Sequence, residues 1–361
     1  MRKYDYTGKT VYLGMDVHKK TYAVTAICDG QIVKRDTLKA SPSVLITYIE
    51  KYFEGAKVET AYEAGFSGFH LHRSLEAAGI KNVVADAASI EIAVGDRVKT
   101  DKRDSLKLAT HLSEGRLKSI HVPSPEREDK RAITRVREAF VRERSRIACQ
   151  IKALLHQHNL IGPDSTRRVC AKWIEELRKK TLPSGIKFAL TQYMDLWLHM
   201  DVKVKEIEKE VSLQAKKDVT LEKVYRSVPG VGPTASRVLA NELEDTLHFK
   251  NERQMFSYTG LTPSEHSSGE HVRQGHITRK GKPLLRKILV QAAWKAIYLD
   301  VSLGELFDNL ALRVGKKRAI IGIARRLIGR IRACFRTGEL YHVKADDNVC
   351  EVCMHEMATI A

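Results

Sequence analysis

No apolar stretch of this 361-residue chain approaches the roughly twenty residues needed to cross a bilayer. The opening Met-Arg-Lys-Tyr-Asp-Tyr lacks the apolar core of a secretory signal, so the sequence predicts neither a span nor export. Cysteine is scarce: the six residues at 28, 149, 170, 334, 350 and 353 are scattered, which excludes a disulfide framework and fits a reducing cytoplasm. Cys350-x-x-Cys353 with His355 nearby falls short of the four ligands of a zinc finger, and no zinc site is expected. Acid is also in short supply, 44 Asp and Glu against 62 Lys and Arg, for a net charge of +18. Such an excess favours a polyanionic partner, because a cationic surface displaces the counterions condensed on nucleic acid. A membrane surface is the rival partner, and the missing apolar run counts against it. Apolar residues make up 43% of the chain, ample for two or three cored domains.

The few acids that are present include four in telling places. Asp16 ends the apolar run that begins at Thr10, and Glu63 ends a second one that begins at Val58. Asp101 and Asp104 lie three apart, a spacing that puts both on one face of the helix they open. Carboxylates gathered at strand and helix ends hold one or two Mg²⁺ ions of the kind that clamp the oxygens of a phosphodiester. Taken singly, each is an ordinary turn or cap residue; the set in this order is not. The surrounding pattern predicts strands over 10–28 broken at His18-Lys19-Lys20, a turn at Asp29-Gly30, and a third strand over 31–39. A helix starting at Ser41-Pro42 follows, then strand 58–63, helix 67–78, strand 82–86 and a helix from Asp101. This β-β-β-α-β-α-β-α order is the ribonuclease-H-like arrangement, with acids on strand one, strand four and the last helix. Asp86 is a rival ligand, ranked lower because it lies one strand beyond Glu63; Asp96 reads as a loop acid.

From Pro125 to about Leu160 the pattern is a long basic helix that includes Arg135 and Arg142, and its charge predicts contact with nucleic acid. A second long helix over 186–213 carries Ile186, Leu190, Tyr193, Trp197, Met200, Val204, Ile207 and Val211 at heptad spacing, a coiled-coil seam. That seam closes either an antiparallel hairpin within the chain or a contact between subunits. Val228-Pro-Gly-Val-Gly232 between two short helices resembles a helix-hairpin-helix turn, where Gly230, Gly232 and the next helix N-terminus would bind phosphate without reading sequence. Residues 256–281 form a long polar loop. Within it Ser267 and Ser268 stand among His266, His271, Arg273, Arg279 and Lys280, a setting in which a serine can attack phosphorus while arginines carry the developing charge.

Gly14-Met-Asp16, Glu63-Ala-Gly65, Lys99-Thr-Asp-x-x-Asp104, Val228-Pro-Gly-Val-Gly232, Tyr258-x-Gly-Leu-Thr-Pro263, Ser268-Gly269 and Gly275-His-Ile-Thr-Arg-Lys-Gly281 ahead of Leu285-Arg286 occur in that order. Together they resemble the DEDD insertion-sequence transposases, relatives of the pilin-gene invertase Piv that include bridge-RNA-guided recombinases. The glutamate context Tyr-Glu-Ala-Gly-Phe-Ser-Gly departs from the family's usual Glu-Ala-Thr-Gly. The resemblance implies an α/β plus α fold: a RuvC-like (ribonuclease-H-like) domain over 8–122, a basic coiled-coil region over 123–218, a mostly helical transposase domain with a helix-hairpin-helix-like element over 219–340, and a tail over 341–361. It further implies a composite active site. Asp16, Glu63, Asp101 and Asp104 would hold one or two Mg²⁺ ions, and Ser268, the residue that matches the family's serine, would form a covalent 5′-phosphoserine link to DNA. Gly230, Gly232, Arg135, Arg142, Arg273, Arg279 and Lys280 would contact nucleic acid.

The expected function is therefore a recombinase that excises and integrates an insertion sequence. Its expected partners are double-stranded DNA at the element ends and target, a noncoding bridge RNA, and further copies of itself in a dimer or tetramer. No membrane is involved, and the expected location is the cytoplasm of a prokaryote, at the nucleoid. A metal-dependent, junction-resolvase-like nuclease that uses water as nucleophile is the alternative, and a non-catalytic architectural nucleic-acid-binding protein a third reading.

Overall fold

The computed structural model describes residues 5–86, 90, 100–162, 167–265 and 273–343. The chain divides into two compact units, Met1–Pro123 and Ser124–Ala361. The first unit runs β1 (Thr10–Val17), β2 (Thr21–Cys28), β3 (Gln31–Lys39), α1 (Pro42–Tyr52), β4 (Lys57–Glu63), α2 (His70–Ala77), β5 (Lys81–Ala85) and α3 (Asp101–Ser113). Its five-stranded sheet has the order β3-β2-β1-β4-β5. β1 pairs antiparallel with β2 and parallel with β4, while β3 and β5 lie at the edges. Element order and type follow the sequence reading, with no boundary displaced by more than three residues. Ser41 precedes α1, but its hydroxyl bonds the Ser43 hydroxyl at 2.8 Å and does not cap the helix; Pro42 alone sets the start.

Alternation along β1 separates two faces. Val11, Leu13 and Met15 are buried in a core with Leu45 and Ile49 of α1 and Leu71 and Leu75 of α2. Gly14 lies on the other face, under α3. A Cβ at Gly14 would overlap the Ser105 carbonyl oxygen and the Ala109 amide nitrogen, so glycine is what lets the α3 backbone rest on the strand. A buried hydrogen bond of 2.8 Å between the Thr25 and Ser105 hydroxyls fixes the helix along the sheet. Thr100 caps α3 by accepting from the Arg103 amide.

The second unit begins with α4 (Pro125–Gln157), whose N-cap Ser124 accepts from the Arg127 amide. After α5 (Ala171–Arg178), α6 (Ser184–Lys217) returns beside α4. Arg137 meets Glu208 and Arg144 meets Asp201, each at 2.5 Å; seven residues up one helix match seven down the other, so the pair is antiparallel. Leu190, Trp197, Val204 and Val211 of the heptad pattern are buried, and the hairpin within the chain is the arrangement adopted. Helix α5, absent from the sequence reading, closes the far end with Trp173, Ile174 and Leu177 packed on Ile151, Leu155 and Leu190.

The remainder comprises α7 (Val219–Ser227), α8 (Pro233–Leu243), α9 (Glu252–Thr259), β6 (Pro263–Glu265), β7 (Gln274–Ile277), α10 (Pro283–Leu299), α11 (Val301–Val314) and α12 (Lys316–Thr337). Leu239, Leu243, Leu285, Leu289, Ile323, Leu327 and Ile331 lie at the centre of its core. The polar stretch read as a loop contains a two-stranded antiparallel hairpin, β6 with β7, and α11 is a further helix that the sequence reading did not separate. No helix among the described residues is long and apolar enough to cross a membrane.

Candidate functional site

The site in the first unit is built at the end of the sheet where β1 and β4 finish. Ala61 pairs with Gly14 and Tyr62 with Met15, so the parallel register brings Asp16 and Glu63, each the next residue, to the same level. Tyr62 and Met15 belong to the α1–α2 core. Alternation therefore turns Asp16 and Glu63 to the α3 face. Asp101 opens α3 over that face, and Asp104 lies half-buried at the same azimuth one turn further on. Asp86, the rival ligand, falls in step with Val84 of the opposite core, and its amide donates to the Lys118 carbonyl at 2.9 Å.

His18 joins two of the four acids, Asp16 and Asp101. His18 is two residues past Asp16, hence on the same face, and its Nε2 lies 3.3 Å from Oδ2 of Asp16 and 3.3 Å from Oδ2 of Asp101. The three ligand atoms all lie within 4.8 Å of one another. The side chains are 23% exposed for Asp16, 45% for His18 and 61% for Asp101, so the cluster is open on one side to an incoming group. In the sequence His18 stands only as a break between strands, and its two-residue step from Asp16 is the signal that it joins the site. Phe66, which no sequence pattern marks, is 72% exposed on the loop that follows Glu63. That loop is held from below by the Tyr62 hydroxyl, which donates to the Gly68 carbonyl at 2.9 Å. The donors fit a hard divalent cation: two carboxylate oxygens and an imidazole nitrogen converge from the end of β1 and the start of α3, while Glu63 and Asp104 lie outside this group of three.

In the second unit β6 and β7 flank the serine stretch in sequence, and Glu265 pairs with Gln274 and Pro263 with Ile277. Ser268, Ser267, His266 and His271 lie outside the described residues, as do Asp96, Cys350, Cys353 and His355. The hairpin base is interlocked: a Cβ at Gly260 would overlap the Lys280 carbonyl, and one at Gly281 the Tyr258 carbonyl. The Lys282 amide donates to the Tyr258 carbonyl at 2.9 Å, and Arg286 donates to the Thr259 carbonyl at 3.1 Å. Arg279, with φ of +56°, and Lys280 are exposed at this base, and Arg273, directly before β7, is exposed as well.

Two of the expected nucleic-acid contacts, Arg135 and Gly230, also have partners within the second unit. Arg127, Arg131 and Arg135 stand one turn apart on α4 and grip the C-terminal end of α8. Arg127 donates to the Ala240 carbonyl at 3.2 Å, and Arg131 to those of Asn241 and Glu242 at 2.7 and 3.0 Å. Arg135 makes a bidentate pair with the buried Glu242 carboxylate at 2.7 and 2.9 Å. Those hydrogen bonds push the Arg135 pKa up, while burial brings that of neighbouring Lys282 down. The basic helix is thus largely an internal clamp, because carbonyls and acids distant in sequence absorb its charge. Arg142 differs: it is exposed and makes no ion pair among the described residues. Gly230 has a φ of +79°, and a Cβ there would overlap the Ala292 carbonyl, so the turn packs closely against α10. Gly232 has open space beside it and caps α8.

Two family descriptions match the chain: "Transposase", for the DEDD type of IS110, over residues 13–160, and "Transposase IS116/IS110/IS902 family" over residues 222–307. Among its relatives, the candidate transposase y4rJ of Sinorhizobium fredii is 32% identical, with 74% of each chain covered. The transposase for insertion sequence element IS1533 of Leptospira borgpetersenii is 25% identical over 91% of this chain and 96% of its own. The transposase for insertion sequence element IS1111A of Coxiella burnetii is 23% identical, with 92% of each covered. The chain belongs to the IS110 family of DEDD transposases. It is an enzyme of transposition whose substrate is DNA, and the family's acids imply a divalent cation.

Proposed function

We propose that this transposase excises and integrates an insertion sequence by transesterification, with Asp16, Glu63, Asp101 and Asp104 holding one or two Mg²⁺ ions and Ser268 as nucleophile. What supports this most is the arrangement at the end of the sheet: Asp16 and Glu63 level on one face, with Asp101 close enough to share His18 with Asp16. The bound cation supplies charge neutralisation at the oxygens of the scissile phosphate. The Ser268 hydroxyl attacks phosphorus; a bond forms from serine oxygen to phosphorus, the bond to the 3′ oxygen breaks, and the proton lost by serine is made up on that leaving oxygen, giving a 3′-hydroxyl and a 5′-phosphoserine. Attack by another 3′-hydroxyl reverses the step and frees the serine, so strands exchange with no net change in bond type. Arg273, Arg279 and Lys280 flank the serine in sequence and supply charge to the transition state. Gly232 and Arg142 contribute contacts to the nucleic-acid backbone.

In the same reading the domains divide as 8–122, 123–218, 219–340 and 341–361, with the α4–α6 hairpin a coiled-coil arm and α7–α8 a helix-hairpin-helix-like element. The enzyme works in the cytoplasm, at the nucleoid, as a dimer or tetramer, because recombination handles four strands at once. A bridge RNA guides it. The decisive comparison is Ser268→Ala with Asp16→Asn. Both should abolish strand transfer, and Ser268→Ala should also abolish the covalent DNA adduct while leaving DNA affinity intact. Cleavage that persists in Ser268→Ala would replace this mechanism by the water-using nuclease, and near-normal activity of Asp16→Asn would remove the metal assignment.

A further inference from the structure

We infer that His18 is itself a ligand of the divalent cation held at Asp16 and Asp101, and that this imidazole biases the site toward Mn²⁺ over Mg²⁺. The inference deepens the reading of the acids as a metal site and rests on it. The geometry carries it. Donors about 2.1 Å from one ion stand about 3.0 Å apart at octahedral cis positions and about 3.4 Å apart at tetrahedral ones. His18 Nε2 is 3.3 Å from Oδ2 of each aspartate, between those values.

The chain places the imidazole there for local reasons. Asp16 and His18 share a face by strand alternation, and the His18 amide donates to the Thr21 carbonyl at 2.9 Å, closing the β1–β2 turn under the ring. Asp101 is brought to the same point by α3, which Gly14 admits against the strand. A plain charge pair would satisfy only part of this. One imidazole nitrogen carries at most one proton, yet two carboxylate oxygens are equidistant from it. A cation bound through the nitrogen lone pair uses all three donors at once. Nitrogen is a poor ligand for Mg²⁺ and an acceptable one for first-row metals, so its presence tilts selectivity away from Mg²⁺.

The test uses the full-length protein loaded with one equivalent of Mn²⁺ and electron spin echo envelope modulation. Wild type should show coupling of Mn²⁺ to a directly bound ¹⁴N. His18→Ala, checked for an unchanged melting temperature, should lose that coupling and bind Mn²⁺ about tenfold or more weakly, while its Mg²⁺ affinity, measured by competition, changes less than about threefold. Bound Mn²⁺ without nitrogen coupling in wild type, or coupling that survives in His18→Ala, would overturn the inference and leave the carboxylate site standing. Equal Mn²⁺ binding by wild type and Asp16→Asn would instead remove the metal site altogether.

Discussion

Gly14 shows how much placement can rest on one residue. It contributes no side chain, yet the seat of α3 on β1, and with it the approach of Asp101 to Asp16, depends on the missing Cβ. In Gly14→Ala the methyl group meets backbone atoms of two α3 residues, which cannot yield as a flexible side chain would. Overpacking of this kind costs about 1–3 kcal/mol. The expected result is a lowered melting temperature in differential scanning calorimetry, together with weakened Mn²⁺ binding, although no ligand has been altered. An unchanged melting temperature and metal affinity would show that α3 is free to shift. At this scale the acids were legible in the sequence, because a charged residue closing an apolar run marks a strand end. His18 was not: a histidine beside two lysines in a turn has the look of an ordinary surface connection, and its two-residue step from Asp16 is a signal only once the strand is known to keep its alternation up to the turn.

Among elements, α4 illustrates where a sequence misleads. Its arginines look alike on a helical projection but have opposite roles. Arg131 is buried against α8 carbonyls, whereas Arg142 faces solvent. Loss of a buried charged donor strands its acceptors, so Arg131→Ala should cost about 3 kcal/mol in urea unfolding. Arg142→Ala should change stability by less than about 0.5 kcal/mol. It should instead weaken DNA binding and reduce the slope of log affinity against log salt by about one. Equal stability of the two variants would refute the clamp, and an unchanged salt slope in Arg142→Ala would remove it as a phosphate contact. The helices themselves were readable from periodicity and caps. Their partners were not, since Arg131 and the carbonyls it serves are separated by more than one hundred residues. Short α5 lacked the length for a clear period, and Asp300, a single capping residue, hides the break between α10 and α11.

For the molecule as a whole, the heptad seam no longer argues for self-association, because the chain buries that stripe in its own hairpin. What remains outside is a set of exposed apolar residues on α6: Phe188, Leu196, Val202 and Leu213. If these join subunits, light scattering of wild type should give at least a dimer, and the double variant Val202→Lys, Leu213→Lys should give a monomer with its helix content intact. A wild-type protein that is monomeric both alone and with DNA would count against the oligomer. The net charge of +18 was the most reliable whole-chain signal, although much of it is neutralised locally along α4.

The matched steps of α4 and α6 make the hairpin a ruler with graduations of seven. At 33 residues α4 is about 50 Å long. Excising one seven-residue step from α4, residues 138–144, and the facing step from α6, residues 201–207, would keep every remaining partner in phase and shorten the reach by about 10 Å. Removing four from each would shorten it less yet rotate the buried stripes out of register. Span can therefore change between relatives in discrete increments while the packing code stays the same.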